Sequence, residues 1–103
     1  MTYWYFKFEG RFSDPTAHLA CGGVFSGCLV PERVYRRARA IFLQSLREEG
    51  IELVETMEHF RVDGEELDPS DPLNEFWISW YERTKTAGKP VFDTYHIFPE
   101  GSD

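Results

Sequence analysis

The chain contains only two cysteines among its 103 residues, Cys21 and Cys28. They stand too far apart for a Cys-x-x-Cys redox pair, and no nearby cluster of ligands completes a metal site with His18. On one strand they fall on opposite faces, so no disulfide is expected between them. The plain reading is two small apolar residues in a reduced core. No apolar run approaches the roughly 20 residues of a membrane helix. The N-terminus has no charged region followed by a long apolar region and a cleavage site. A soluble, cytoplasmic chain is the expectation. Phosphate-binding motifs are missing too: no P-loop spacing and no Gly-x-Gly-x-x-Gly occur. Basic residues are scarce, with 11 Lys and Arg against 18 Asp and Glu, a formal net charge of −7. That balance disfavours nonspecific nucleic-acid binding, which works by neutralising phosphates.

Aromatic residues are abundant, at 17% of the chain. They concentrate in Tyr3–Phe12, where Trp4, Phe6, Phe8 and Phe12 alternate with Tyr5, Lys7, Glu9 and Arg11. Period-two alternation predicts a strand with one aromatic, buried face and one polar face. Ser13-Asp14-Pro15-Thr16 reads as a turn. A second strand over residues 17–30 should pair with the first as a hairpin, its glycines leaving room for neighbouring rings. Pro31 and Glu32 suit a helix start, and Gly50 suits a left-handed stop. The inward stripe of this helix is read as Val34, Ala38, Ile41, Phe42 and Ser45.

A third strand runs over residues 51–62. Its apolar phase slips between Val54 and Met57, which predicts a bulge. An acidic, proline-bearing loop follows Asp63-Gly64. Asp71 is placed to cap a second helix with Pro72 at its first position, and Gly88 to end it. Leu73, Phe76, Trp77, Trp80 and Thr84 are its expected inward stripe, with Ile78 and Tyr81 off it. Residues 89–99 read as a last strand, and residues 99–103 as a frayed tail. The expected fold is a single α+β domain over residues 1–103. Its order is strand-strand-helix-strand-helix-strand, giving a four-stranded mixed sheet with both helices on one face.

The charge is segregated. Residues 48–75 hold eleven acids against a single base, Arg61, a balance of −10, while residues 1–47 carry +4. Such a field steers oppositely charged partners. The leading expectation is therefore a protein-binding protein that masks a basic partner. Its concrete form is an immunity protein, antitoxin or phage-type inhibitor of a nuclease-type toxin. Glu55, Glu58, Glu65, Glu66 and Asp68 are the candidate contacts, with Phe60 or Trp77 as an aromatic centre among them. The arginines of the first helix, Arg33, Arg36, Arg37 and Arg39, form the alternative patch. A different class of reading is a ligand-binding or accessory domain using the aromatic sheet or a pocket. A small hydrolase ranks below both. Cys21 or Cys28 with His59 or His96 and Asp93 can be assembled on paper, but no spacing selects that set. Glu55, Glu58 and His59 form no metal site on a strand, which puts Glu58 on the other face. No catalytic residue, metal or cofactor is assigned.

Overall fold

The computed structural model describes residues 2–13 and 21–99, the side chains of residues 21, 22 and 97–99 excepted. The expected turn at residues 14–16, the strand start at 17–20 and most of the expected tail lie outside the described residues.

Strand β1, Thr2–Phe12, forms a hairpin with β2, Cys21–Val30. Helix α1, Tyr35–Glu48, leads to β3, Ile51–Asp63. A 3-10 turn, Pro72–Asn74, leads into helix α2, Glu75–Ala87. Two short segments follow, β4, Val91–Phe92, and β5, His96–Pro99. Both pair with β2, so the last strand is present but broken. At the break, the Ser26 hydroxyl donates to the carbonyls of Asp93 and Thr94. The sheet order is β3-β1-β2-β4, with β5 also on β2. The fold is α+β, in the expected order of elements.

Two features differ from the expectation. The sheet is antiparallel throughout, not mixed. β2 and β3 run in the same direction, as a crossover through α1 requires, but β1 lies between them and opposes both. The helices also cover opposite faces. Phe6 and Phe8 are fully buried under α1, with Phe6 stacked on Phe42 at 4.6 Å between ring centroids. Ala38, Leu46, Val24, Cys28 and Ile51 complete that core. The other face of β1 carries Tyr3, stacked on Tyr81 at 4.7 Å, and Tyr5, which meets Trp80 at 5.6 Å. Leu29 and Val62 join this second core under α2. A tyrosine buries its ring while keeping a polar tip, so the face that looked polar holds a hydrophobic layer at its Tyr3–Tyr5 end. Beyond it, Lys7 and Arg11 are exposed.

The helix stripes shift accordingly. Ala38, Phe42 and Leu46 are the buried residues of α1, while Val34 is exposed. The helix starts later than Pro31 implied. The Trp4 Nε1–H donates to the Arg33 carbonyl at 2.8 Å and holds the connection against β1. Glu32 still serves the helix start, its carboxylate accepting the Val34 N–H. In α2, Trp80, Tyr81 and Thr84 are buried, whereas Leu73 and Phe76 are exposed. Tyr81, expected off the stripe, is inside because Tyr3 and Gly64 receive its ring.

Local signals hold where one residue decides. Gly50 and Gly88 end the helices at φ of 70° and 66°, the left-handed region that favours glycine. The Asp71 carboxylate accepts the Leu73 N–H at 3.0 Å. The register of β1 on β3 shifts twice, leaving Met57 and Val54 as extra residues on β3. Cys28 is a free, buried thiol; burial pushes its pKa up, so it stays protonated.

Two substitutions test this packing by urea denaturation. Phe6→Ala should cost about 3–5 kcal/mol, a typical loss for a core aromatic. At Gly27 an added Cβ would lie 2.6 Å from the Tyr5 ring and 3.1 Å from Trp80. Gly27→Ala should therefore cost about 1–3 kcal/mol by overpacking. A neutral Gly27→Ala would contradict the placement of α2 over this face.

Candidate partner interface

β3 is an edge strand, paired among the described residues only with β1. The end that leads into the acidic loop lies beside α2, and the two form an open groove of about 330 Å³. Four consecutive β3 residues, Phe60 to Asp63, line one wall; Glu66, Leu67, Asn74 and Trp77 line the other. The groove thus follows the strand's outer margin.

Its aromatic floor arises from spacing. Phe60 is the cross-strand partner of Tyr5 and lies on the α2 side of the sheet. Trp77 precedes the buried Trp80 by one helical turn, so it shares the inward side of α2 but sits nearer its open end. Tyr5, Phe60 and Trp77 therefore meet, with centroids 4.8 to 5.6 Å apart. Phe60 is 36% exposed; on α2 and its leading turn, Phe76, which meets Trp77 and Trp80, and Leu73 are 49% and 83% exposed. The indoles of Trp4 and Trp80 donate to the carbonyls of Arg33 and Val91. Among the described residues, the Trp77 Nε1–H has no such acceptor.

The five candidate acids are all exposed, but the fold does not gather them. Glu66 lines the groove. Its N–H donates to the Asp63 carbonyl, and the Glu65 N–H to the Asp63 carboxylate, which fixes the turn that presents both glutamates. Glu58 lies opposite Lys7, one position along the same face from Phe60. Glu55 is paired with Glu9 beyond the Met57 bulge; at about 3.3 Å per residue it lies roughly 16 Å from Phe60. The Asp68 carboxylate accepts the hydroxyl and the N–H of Ser70, which together hold its pKa below the usual value. It is committed to its own loop. The geometry thus keeps Glu58 and Glu66 near the aromatic floor, puts Glu65 beside Tyr81, and sets Glu55 apart.

Arg33, Arg36, Arg37 and Arg39 are exposed, on or just before α1, which covers the other sheet face. These four arginines therefore lie across the sheet from the groove, whose own lining includes the single base of residues 48–75, Arg61. Glu58 and His59 fall on opposite faces, the latter against Trp4, Phe6 and Tyr35. Among the described residues no three His, Cys, Asp or Glu side chains form a metal-holding group. Among the described residues no helix is long and apolar enough to cross a membrane.

The sequence alone named Phe60 and Trp77 but could not show that they touch. The signal that could have found the groove was the Phe60–Val62 alternation facing a helix with two tryptophans one turn apart. Compared with known families, curated proteins and solved structures, the chain matches none.

The phenols around these cores make an alkaline prediction. Burial first, then Glu58 and Asp93, raises the pKa of Tyr5; burial and nearby carboxylates do the same for Tyr3 and Tyr81. Tyr95 is pushed up from 10.0 to about 12, by burial and then by Glu49. In each case the unfolded phenol ionises first, so the stabilisation is complete below the unfolded value of about 10 and lost as pH rises through the raised folded value, which for Tyr95 is about 12. Urea midpoints should hold steady across neutral pH and drop steeply above about pH 10. A midpoint rising there would contradict the burial of these rings.

Proposed function

We propose that this protein acts by binding, not by catalysis, and that its partner is a basic protein captured on the acidic β3–α2 surface. In concrete form it is an immunity protein, antitoxin or phage-type inhibitor that neutralises a nucleic-acid-acting toxin. Such a toxin must be basic to hold its own substrate. The observation that carries this reading is one juxtaposition: an aromatic groove, closed by Trp77, whose other lining residues, Arg61 among them, belong to the segment of residues 48–75, whose balance is −10. Productive interfaces combine aromatic anchors with a charged rim, the anchors supplying affinity and the rim association rate. Phe60 and Trp77 suit the first role, and Glu58, Glu65 and Glu66 the second. We place the protein in the cytoplasm, where its basic partner would have to be held in check and where a reduced Cys28 is at home.

A second reading is favoured by the groove itself. Its volume falls at the low end of the range for small-molecule sites, roughly 300–1,000 Å³. A ligand-binding or accessory domain would show a ligand-induced rise in melting temperature with no protein partner present.

The test is binding of the purified protein to a panel of basic nuclease domains and a matched panel of acidic proteins. At least one basic domain should be captured and its nucleic-acid cleavage inhibited. In a folded variant carrying Glu65→Lys, Glu66→Lys and Asp68→Lys, association should slow by roughly tenfold or more at low salt. The gap should close as salt shortens the screening length below about 10 Å. Because Asp68 is committed to Ser70, Glu66→Lys alone should account for more of the loss than Asp68→Lys alone. Equal capture of both panels, or unchanged kinetics in the triple variant, would refute the proposal.

A further inference from the structure

We infer that the partner docks by strand addition: an extended basic segment pairs with the outer edge of β3 along Glu58–Val62 and seats one large side chain in the Phe60–Trp77 groove. This rests on the basic-partner reading above and specifies its mode. An edge strand presents alternate N–H and C=O groups to an incoming chain, and proteins normally blunt such edges. Here the two edges of the sheet differ. The β2 side is closed by β4 and β5, which are short, interrupted at residues 93–95, preceded by Pro90 and ended by Pro99. The β3 side is a strand of 13 residues. Its first half is blunted by the extra residues Val54 and Met57. From Glu58 to Val62 the register against β1 is regular, and among the described residues nothing pairs with the outer side.

That regular stretch is also where the groove lies. Phe60 and Val62 belong to both, so an added strand would run alongside Trp77, Leu67 and Glu66. Side chains of an added strand alternate between faces. Those on the α2 side would meet the groove and, flanking it, Glu58 and Glu66. The favoured segment therefore carries one large apolar or aromatic residue with Lys or Arg two positions away on either side. Charge complementarity selects a basic partner over a second copy of this chain. Self-pairing would bring together two segments of −10 each, a like-charge arrangement that disfavours association.

The experiment selects a phage-displayed random peptide library against the full chain at low salt. Amide hydrogen exchange is then followed with and without the enriched peptide. Enriched peptides should be rich in Lys and Arg. Binding should slow exchange at alternate residues of Glu58–Val62, and N-methylation of alternate peptide amides should weaken binding about tenfold or more, as lost main-chain hydrogen bonds require. Basic peptides that bind without protecting Glu58–Val62, and that tolerate N-methylation, would overturn strand addition while leaving the basic-partner reading standing. Enrichment without a basic bias would overturn that reading itself. Concentration-dependent protection of Glu58–Val62 with no peptide present would replace the partner with a second copy.

Discussion

β1 has to bury both of its faces, and the rest of the molecule is arranged to allow it. Phe6 on Phe42 secures one face, with rings 4.6 Å apart and nearly parallel. Tyr3 on Tyr81 and Tyr5 against Trp80 secure the other. A strand buried on both sides must be central, so β2 and β3 flank it and one helix lies on each face. Each buried aromatic contributes roughly 1.5–3 kcal/mol, so the strand holds the largest local share of the apolar burial. The cost is geometric. With α1 committed to one face and α2 to the other, no element among the described residues remains to cover the outer side of β3.

That exposed margin links packing to function. α2 reaches across only the Tyr3–Tyr5 end of its face, and Trp77 at its open end meets Phe60 instead of closing over it. The result is a groove with an aromatic floor in the most acidic part of the chain. The acids are held there by the turn after β3, where backbone N–H groups of Glu65 and Glu66 bond to Asp63. Arg33, Arg36, Arg37 and Arg39 fall on or just before α1, behind the sheet, while Arg61 lines the groove itself, so the acids on the groove side outnumber a base that sits among them.

The sequence was informative wherever a single residue or a short period decides. Gly50 and Gly88 stop their helices, Asp71 caps the turn before α2, and the phase slip from Val54 to Met57 appears as two register shifts. It misled where a residue type is ambiguous or where order in space differs from order in the chain. Tyr5 alternates in phase with Lys7, Glu9 and Arg11 and so reads as polar, which hides the second core and places both helices on one face. The crossover from β2 to β3 suggested parallel neighbours, because nothing local says that β1 lies between them. For the site, the acids and the two aromatics were legible as residues. Their grouping was not: Glu55 lies beyond a bulge and Asp68 turns toward Ser70, details set by backbone geometry and not by composition.

The central claim is that the groove on the acidic side is where a partner binds. The three indole N–H signals of a proton–nitrogen correlation spectrum test it directly. Trp4 and Trp80 donate to backbone carbonyls on either side of the sheet, and Trp77 lines the groove. On titration with a basic binding partner, the Trp77 indole signal should move or broaden in step with occupancy while the other two stay fixed. Saturable binding that leaves Trp77 unmoved, or that shifts Trp4 beside Arg33 instead, would contradict the account and transfer the interface to the arginine-bearing face.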